Sequence, residues 1–505
     1  MRNPTSNAKP ASPSFVFHLV QEEFIADTET PVSLYLKLRS KHSCLLESVE
    51  GEERLARFSY IGLEPFALFE ASIDEKQGER FKLKILDNKF SRLKRLVKSA
   101  PTAKQALERA LAAFSNADPP RAMTTSGAFG FIGYDAVRFI EKIPFPKQPD
   151  PANLPDIFLM FFDTLVVFDN VKRKLFIVSN YLSAKDKPNA EKKIRRIRKK
   201  LLSPLKPSQI RLSRERRDKT KSNLSKDAFV EKALRAKEYI LAGDIFQVQL
   251  SQRLRRALSA KPFDVYRALR TINPSPHLYF FELGEAQIIG SSPELLVGVT
   301  KQGERFVVET RPIAGTRPRG ATPEEDAALM RDLLSNEKER AEHLMLIDLA
   351  RNDVGRVAEI GTVETTEMMV IEKYSHVMHL VSHVRGMLQE GLSPMEAFWS
   401  CFPAGTLTGA PKIRAMQIIA ELEAEKRGLY GGAVGFFDFN GNIKTAIAIR
   451  TMVVKDHTIY FQAAGGIVAD STPDGEYQET LSKMAAGLRA VASLINPKLK
   501  APQAV

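Results

Sequence analysis

The alternation of apolar and polar positions sets the first divisions of this chain. Leu165-Val166-Val167-Phe168 and Leu175-Phe176-Ile177-Val178 flank a polar turn at Asp169-Asn170, which predicts an antiparallel hairpin. Residues 15–183 share this strand-like texture, with interruptions. Over 225–241 the apolar positions fall at helical spacing instead, with Ser225 as N-cap and Gly243 just past the end. Strands are predicted at 277–283, 287–289 and 306–309. A long helix is predicted to open near Pro323 and run to about Ala350. Two more begin near Pro394 and Pro411, where a helix's first turn tolerates proline. Residues 432–439, 443–454 and 458–462 read as a three-strand meander with Asn440-Gly441 as its tight turn, and a closing helix covers 475–494. Strands beside strands, with helices in separate blocks, indicate an α+β fold with antiparallel sheets. No fixed-period repeat is present.

Composition alters this picture in one place. The 505 residues are 44% hydrophobic and 27% charged, with a net charge of +14. Residues 185–221 hold 16 Lys/Arg against 4 Asp/Glu, so nearly the whole excess sits in one segment and the remainder is close to neutral. Prolines at 188, 204 and 207 interrupt it; residues 190–202 suit a charged helix and the rest an exposed linker. The organisation expected is a tail at 1–14, an N-terminal lobe at 15–184, the basic linker at 185–221, a denser lobe at 222–497 and a tail at 498–505, the two lobes forming one body. Two cysteines, Cys44 and Cys401, exclude a disulfide framework or a CxxC site. No run approaches the ~20 apolar residues of a membrane helix, and the polar first 14 residues lack a secretory signal's apolar core. The expected location is cytoplasmic.

Several motifs fail on spacing. Gly405-Thr-Leu-Thr-Gly409-Ala-Pro-Lys412 has the wrong spacing for a P-loop, and Ile413 stands where a hydroxyl would meet Mg²⁺. The glycines at 127–133 and 431–435 do not make GxGxxG. His376, His379 and His383 do not match a zinc pattern. The basic run lacks the interleaved aromatics of a single-strand binder, which leaves a nucleic-acid-binding protein as the remote alternative.

Carboxylates carry the chemistry. Glu339 and Glu342 lie three apart on the long helix, and Glu476 and Glu479 three apart on the last, so each pair shares a helix face. The apolar stretch after Glu342 argues for burial. Four carboxylates brought together would repel unless a divalent cation lay between them, and oxygen-only ligation points to Mg²⁺ or a similar hard ion. Nearby Arg450, Gly465-Gly466 and Lys483 suit carboxylate groups on a substrate.

Longer stretches carry a resemblance. Gly290-Ser-Ser-Pro-Glu294, Pro312-Ile-Ala-Gly-Thr-Arg-Pro-Arg-Gly320, the run from Lys338 to Asp353, Tyr374-Ser-His-Val-Met-His-Leu380, Gly405 to Lys412 and Tyr430-Gly-Gly-Ala-Val-Gly435 resemble the chorismate-utilising enzymes, in particular their anthranilate synthase component I branch. The resemblance is dense over 225–492 and thinner before 185. It implies two facing antiparallel sheets forming a sandwich with helices outside. It also implies a Mg²⁺-dependent conversion of chorismate and ammonia into anthranilate and pyruvate, the opening step of tryptophan synthesis. By the same resemblance Glu342 and Glu479 hold Mg²⁺, with Glu339 and Glu476 in support. Arg450 and Tyr430 clamp the enolpyruvyl side, the backbone at Ala464, Gly465 and Gly466 together with Lys483 holds carboxylate, and Gly315 and Thr316 line the pocket. Glu294 is implied as general acid for the departing C4 hydroxyl, with His379 and Thr406 at active-site positions and His379 a proton-transfer group.

Two positions select the branch. Gln247 stands where isochorismate and salicylate synthases place a lysine that activates water, and Ala314 where aminodeoxychorismate synthases usually place a nucleophilic lysine. Both point to direct attack by ammonia, with an aminodeoxychorismate synthase as the alternative. Neither cysteine sits in the Gly-x-Cys-x-Gly elbow of a glutaminase. The resemblance therefore implies a separate glutamine amidotransferase subunit in a heterodimer or heterotetramer. Leu45-Leu-Glu-Ser48 and Asn273-Pro-Ser-Pro-His277-Leu278 resemble a feedback pocket for tryptophan, with Glu47 and Ser48 meeting its ammonium and Pro276, His277 and Leu278 alongside. His277 stands where many relatives carry tyrosine, and Ala464 where many carry glycine.

Overall fold

The computed structural model describes residues 13–48, 57–118, 122–205, 220–374 and 377–494. Strand alternation explains its layering. In the strand Thr164–Asp169, Leu165 and Val167 join one apolar cluster and Val166 and Phe168 another. Both faces of this strand are therefore buried, one against a second sheet and one against helices. The same division recurs in His277–Glu282, where Tyr279 and Phe281 face inward and Leu278 and Phe280 outward. Two sheets of 13 and 11 strands result. Their pairings are antiparallel apart from Phe15–Ile25 with Phe114–Asn116. The inter-sheet core unites Tyr60, Val167 and Tyr279 of one sheet with Phe129, Met160 and Phe436 of the other. Helices cover both outer faces, giving the antiparallel α+β fold that the patterning predicts in the sandwich form that the resemblance implies. In each sheet the strands from before residue 184 form one block and the later strands another, joined at a single seam: Ser43–Glu47 with His277–Glu282 in the larger sheet and Gly127–Ile132 with Ala433–Asp438 in the smaller.

Two elements differ from the sequence reading. The long helix is two, Pro323–Ser335 and Glu337–Gly355. Asn336 takes extended dihedrals, caps the first helix, and accepts from the Glu339 N–H at 3.0 Å to start the second. Asparagine's preference for N-cap geometry over helix interior is the physical reason. The meander is not one sheet. Ala433–Asp438 and Ile443–Ile447 pair in the smaller sheet, whereas Thr451–Lys455 and Thr458–Ile467 pair in the larger. Unbroken apolar patterning conceals the crossing at 448–450, where Arg450 adopts φ +51. Pro411 is the N-cap of Lys412–Leu422 rather than its first residue, while Pro394 opens Pro394–Cys401.

The basic segment contributes the helix Lys187–Leu201, which buries Ala190, Ile194, Ile197 and Leu201 on the body. Lys193 reaches the buried Asp163 at 2.9 Å, and Lys89 meets the same carboxylate at 2.8 Å. Among the described residues no helix is long and apolar enough to cross a membrane. Residues 206–219 lie outside the described residues, as does His376.

Candidate active site

Two of the places where the chain passes from one sheet to the other lie side by side. One crossing joins Ala286–Ser292 to Leu295–Gln302 and carries Glu294; the other joins Ile443–Ile447 to Thr451–Lys455 and carries Arg450. Backbone bonds lace them together: the Ile447 N–H donates to the Glu294 carbonyl at 3.0 Å, and the Ser291 N–H to the Arg450 carbonyl at 3.2 Å. An acid and a guanidinium are thereby fixed at the place where the two sheets part.

Glu294 is 6% exposed. Burial pushes its carboxyl up to about 8, against a hydrogen bond from Thr406 Oγ1 to Oε1 at 3.0 Å. At neutral pH the group is largely protonated. Arg450 has no carboxylate within ion-pair reach among the described residues. Its Nη1 donates to the Lys483 carbonyl at 2.5 Å, and burial lowers its pKa. The Tyr430 hydroxyl meets the Ala464 backbone, and burial raises it. Lys483 Nζ donates to the Ala464 carbonyl at 2.9 Å and pairs with Glu479 at 2.6 Å.

The two glutamate pairs come from the N-terminal ends of Glu337–Gly355 and Pro473–Ser493. Burial raises Glu342, and the charges of Glu339 and Glu479 raise it further. Burial and Glu479 raise Glu476 in the same way, with a smaller contribution from Glu342. The pairs therefore share one field across two helices. Gln247 Nε2 donates to Glu342 Oε1 at 3.1 Å, Arg317 Nη1 to Glu339 Oε1 at 3.0 Å, and Ser471 Oγ to Glu476 Oε1 at 2.8 Å. Glu476 Oε2 and Gln247 Oε1 are buried with no hydrogen-bond partner. Among the described residues no three His, Cys, Asp or Glu side chains stand as a closed ligand set.

Glycines let these parts approach. A Cβ on Gly465 would lie 2.7 Å from Glu476 Oε2, and one on Gly466 would lie 2.9 and 3.0 Å from the Gln249 and Gln247 amide nitrogens. Gly315, at φ +65, faces Glu339 Oε2, and its carbonyl lies 3.0 Å from His379 Nδ1. That carbonyl can only accept, so Nδ1 carries the proton and Nε2 keeps a lone pair. Thr316 Oγ1 also lies 3.0 Å from Nδ1, and burial lowers the His379 pKa.

All the residues singled out as catalytic, substrate-binding or metal-binding are thus joined in one run of contacts. Glu47, Ser48, Pro276, His277 and Leu278 form a separate group. Leu278 pairs with Glu47 across two strands, Ser48 Oγ donates to the Pro276 carbonyl at 2.7 Å, and His277 pairs with Ser292, two residues before Glu294. The Glu47 carboxylate is held by Arg270 at 3.1 Å and by the Tyr266 hydroxyl. Burial and the charges of Lys444 and Arg311 push His277 down to about 3.

Sequence reasoning missed Gln249, although its position two residues after Gln247 on one strand gives the shared face. It also missed the Glu423–Arg427 strut beneath Thr406 and Tyr430, since an i,i+4 pair reads as surface charge.

Residues 41–489 match the chorismate binding enzyme family. The chain belongs to that family. It is 45% identical over 490 residues to anthranilate synthase component 1 of Pseudomonas aeruginosa, covering 93% of this chain and 94% of that protein. It is 47% identical over 478 residues to that of Pseudomonas putida, with 93% and 94% covered. Among solved structures it is similar to anthranilate synthase component I from Streptococcus pneumoniae TIGR4, at 37% identity and a TM-score of 0.74, covering 92% of this chain and 99% of that one. The menaquinone-specific isochorismate synthase of Escherichia coli, 17% identical with a TM-score of 0.68, shares the fold. This chorismate-binding enzyme is therefore a homologue of anthranilate synthase component 1 along nearly its whole length.

Proposed function

We propose that this chain is the synthase component of an anthranilate synthase, adding ammonia at C2 of chorismate, expelling the C4 hydroxyl as water and eliminating pyruvate to leave anthranilate. The observation that carries this reading is a buried Glu294, its carboxyl pushed up to about 8, on the sheet crossing next to that of Arg450, which has no carboxylate within ion-pair reach among the described residues. The acid is poised to protonate a poor leaving group, and the guanidinium awaits an anion. Tyr430, Lys483 and the backbone at Ala464, Gly465 and Gly466 complete a clamp for the substrate's carboxylates. Gly315 and Thr316 line its wall. His379, neutral with Nε2 free, suits removal of the C2 proton in the elimination.

The donor set fits Mg²⁺. The charges of Glu339 and Glu479 raise Glu342, those of Glu479 and Glu342 raise Glu476, and among the described residues the buried Glu476 Oε2 has no partner, as a ligand oxygen awaiting a cation would be. Glu342 and Glu479 would hold the ion, with Glu339 and Glu476 in direct or water-mediated support. When bound, it would neutralise negative charge at the ring carboxylate beside the reacting carbons. The protein's own part is to keep these groups dry and fixed.

Gln247 and Ala314 favour ammonia over water or a lysine nucleophile. Both cysteines are buried, and burial pushes the Cys44 thiol up to about 12 and raises Cys401 as well, so neither thiol suits a glutaminase. A separate glutamine amidotransferase subunit would supply ammonia in a cytoplasmic heterodimer or heterotetramer. The group at Glu47, Ser48, Pro276, His277 and Leu278 is the proposed tryptophan site, where the ligand's ammonium would compete with Arg270 for Glu47.

The test is direct. The purified chain is incubated with chorismate, Mg²⁺ and an ammonium salt at mildly alkaline pH, and anthranilate fluorescence is followed. Appearance of anthranilate supports the reading, accumulation of aminodeoxychorismate places the chain in the other branch, and untouched chorismate defeats it.

A further inference from the structure

A cleft of about 360 Å³ opens on the helix-covered face of the larger sheet, away from the groups above. Its walls are the end of the helix Pro31–Leu38 and the start of the helix Pro262–Ile272. Tyr35, Phe263 and Phe280 form its floor, with ring centroids 4.9 to 5.7 Å apart. Three cations line it: Arg39, Lys41 and Lys261. None has a carboxylate within ion-pair reach among the described residues, although the molecule pairs many of its other surface cations. Arg39 leans 6.0 Å from the Phe263 ring and so spans the two walls.

The one carboxyl in the cleft, Glu282, does not balance them. It is one carboxyl against three cations: Gln287 Nε2 donates to it at 2.8 Å, burial raises its pKa, and the charge of Arg39 lowers it. Two further observations point the same way. Lys261 is the N-cap of an 11-residue helix whose dipole adds positive potential, and the acid of its first turn, Asp264, is engaged by Arg267 at 3.0 Å. His42, against which Lys41 lies, is pushed down by burial and by the charges of Lys41 and Lys84, and its Nδ1 is buried without a partner. Uncompensated positive potential around a roomy concave site predicts an anionic occupant.

We propose that this cleft binds a small polyanion carrying at least two phosphate or carboxylate groups. The site is independent of the catalytic reading and needs no turnover to be tested. It lies at the opposite end of Pro262–Ile272 from Arg270, so an occupant would bear on the helix that grips Glu47.

The experiment is calorimetric titration of the full chain with inorganic pyrophosphate and, separately, citrate at low ionic strength. The chain should bind at least one probe at a single site that survives Arg450→Ala, which removes the anion clamp of the active cleft. Arg39→Ala with Lys261→Ala should weaken that binding at least tenfold. Glu282→Gln should leave it unchanged or tighten it, and added salt should weaken it. Pyrophosphate without citrate would assign the site to phosphates, and citrate without pyrophosphate to carboxylates. No binding of either probe at millimolar concentration, or binding indifferent to the double substitution in a protein of unchanged melting temperature, overturns the proposal.

Discussion

Glu423 and Arg427 face each other with their polar groups engaged, whereas Glu294 and Arg450, joined to them through Thr406-Leu407 and Tyr430, are left open. In the closed pair, Arg427 Nε and Nη2 each donate to Glu423 at 2.8 Å. The remaining donors reach the Leu407 carbonyl at 2.6 Å and the Gln249 carbonyl at 2.8 Å, and the guanidinium lies 4.6 Å from the Tyr134 ring. Glu423 also accepts the Ser251 N–H at 2.7 Å. In the open pair Glu294 meets the Thr406 hydroxyl and the Ile313 backbone, and Arg450 one carbonyl, with no charged partner within ion-pair reach for either among the described residues. The same residue types, both buried, are thus a strut in one place and a reactive site in the other. What separates them is whether the protein supplies the partner or leaves it to a ligand.

The largest effect should come from breaking the strut. Glu423→Ala leaves a buried guanidinium without its counter-ion, at a cost of about 3–5 kcal/mol. Chemical denaturation should show that loss, with activity falling only as the folded fraction falls. A variant that is fully folded and as stable as the parent would show that the comparison is misdrawn. Glu342→Ala or Glu479→Ala should do the reverse. Turnover of chorismate with ammonia should drop on the order of a thousandfold, since a hard cation contributes several kcal/mol of charge stabilisation. The melting temperature should hold or rise, because mutual repulsion among the acids is relieved. Unchanged activity in either variant removes the proposed metal site.

Arg450→Gln comes next. A charge-assisted bond to a substrate carboxylate is worth roughly 1.5–3 kcal/mol, so KM for chorismate should rise by about 10- to 100-fold, with little change in unfolding. If stability falls instead, Arg450 belongs with the struts.

These two neighbourhoods also measure how far the sequence could be read. Antiparallel sheets in an α+β fold were legible because short strand runs such as 165–168 and 277–283 stand beside one another while helices occupy separate blocks, whereas the facing of two sheets came only through the resemblance. The four glutamates were legible from i,i+3 spacing beside an apolar stretch, and their roles only through the long motifs. Their meeting across two helices was not, because no local rule relates residue 342 to residue 479. The crossing at Arg450 was hidden for a different reason. Apolar residues run on either side of it, and a strand that changes sheets keeps the same alternation. The break at Asn336 was readable from capping preference but was overridden by the helical pattern around it. Glu423 and Arg427 show the limit most clearly, since they lie in the irregular stretch after the helix Lys412–Leu422, where no periodicity separates a buried acid and base from a solvent-facing pair.

The smallest effect concerns the one hydroxyl on Glu294. Burial raises this carboxyl to about 8, and the bond from Thr406 works against that rise by favouring the carboxylate. The acid form is the working form, so kcat/KM for chorismate, expressed per free ammonia, should fall as pH climbs through about 8. The fold feels the same shift: the stability lent by a neutral Glu294 is full below its ordinary value of 4.5 and drains away as pH rises through about 8. Thr406→Val removes the donor without removing bulk. The carboxylate then loses about 1.5 kcal/mol of support, which is about one pH unit. The alkaline limb should therefore move upward by about that much, while Glu294→Gln should abolish the limb along with most turnover. A limb that stays in place in Thr406→Val would mean that burial, the Ile313 backbone and the charge of Lys483 set the acid between them, and that the opening of Glu294 to its ligand owes nothing to the Gly405–Leu407 turn that carries the hydroxyl.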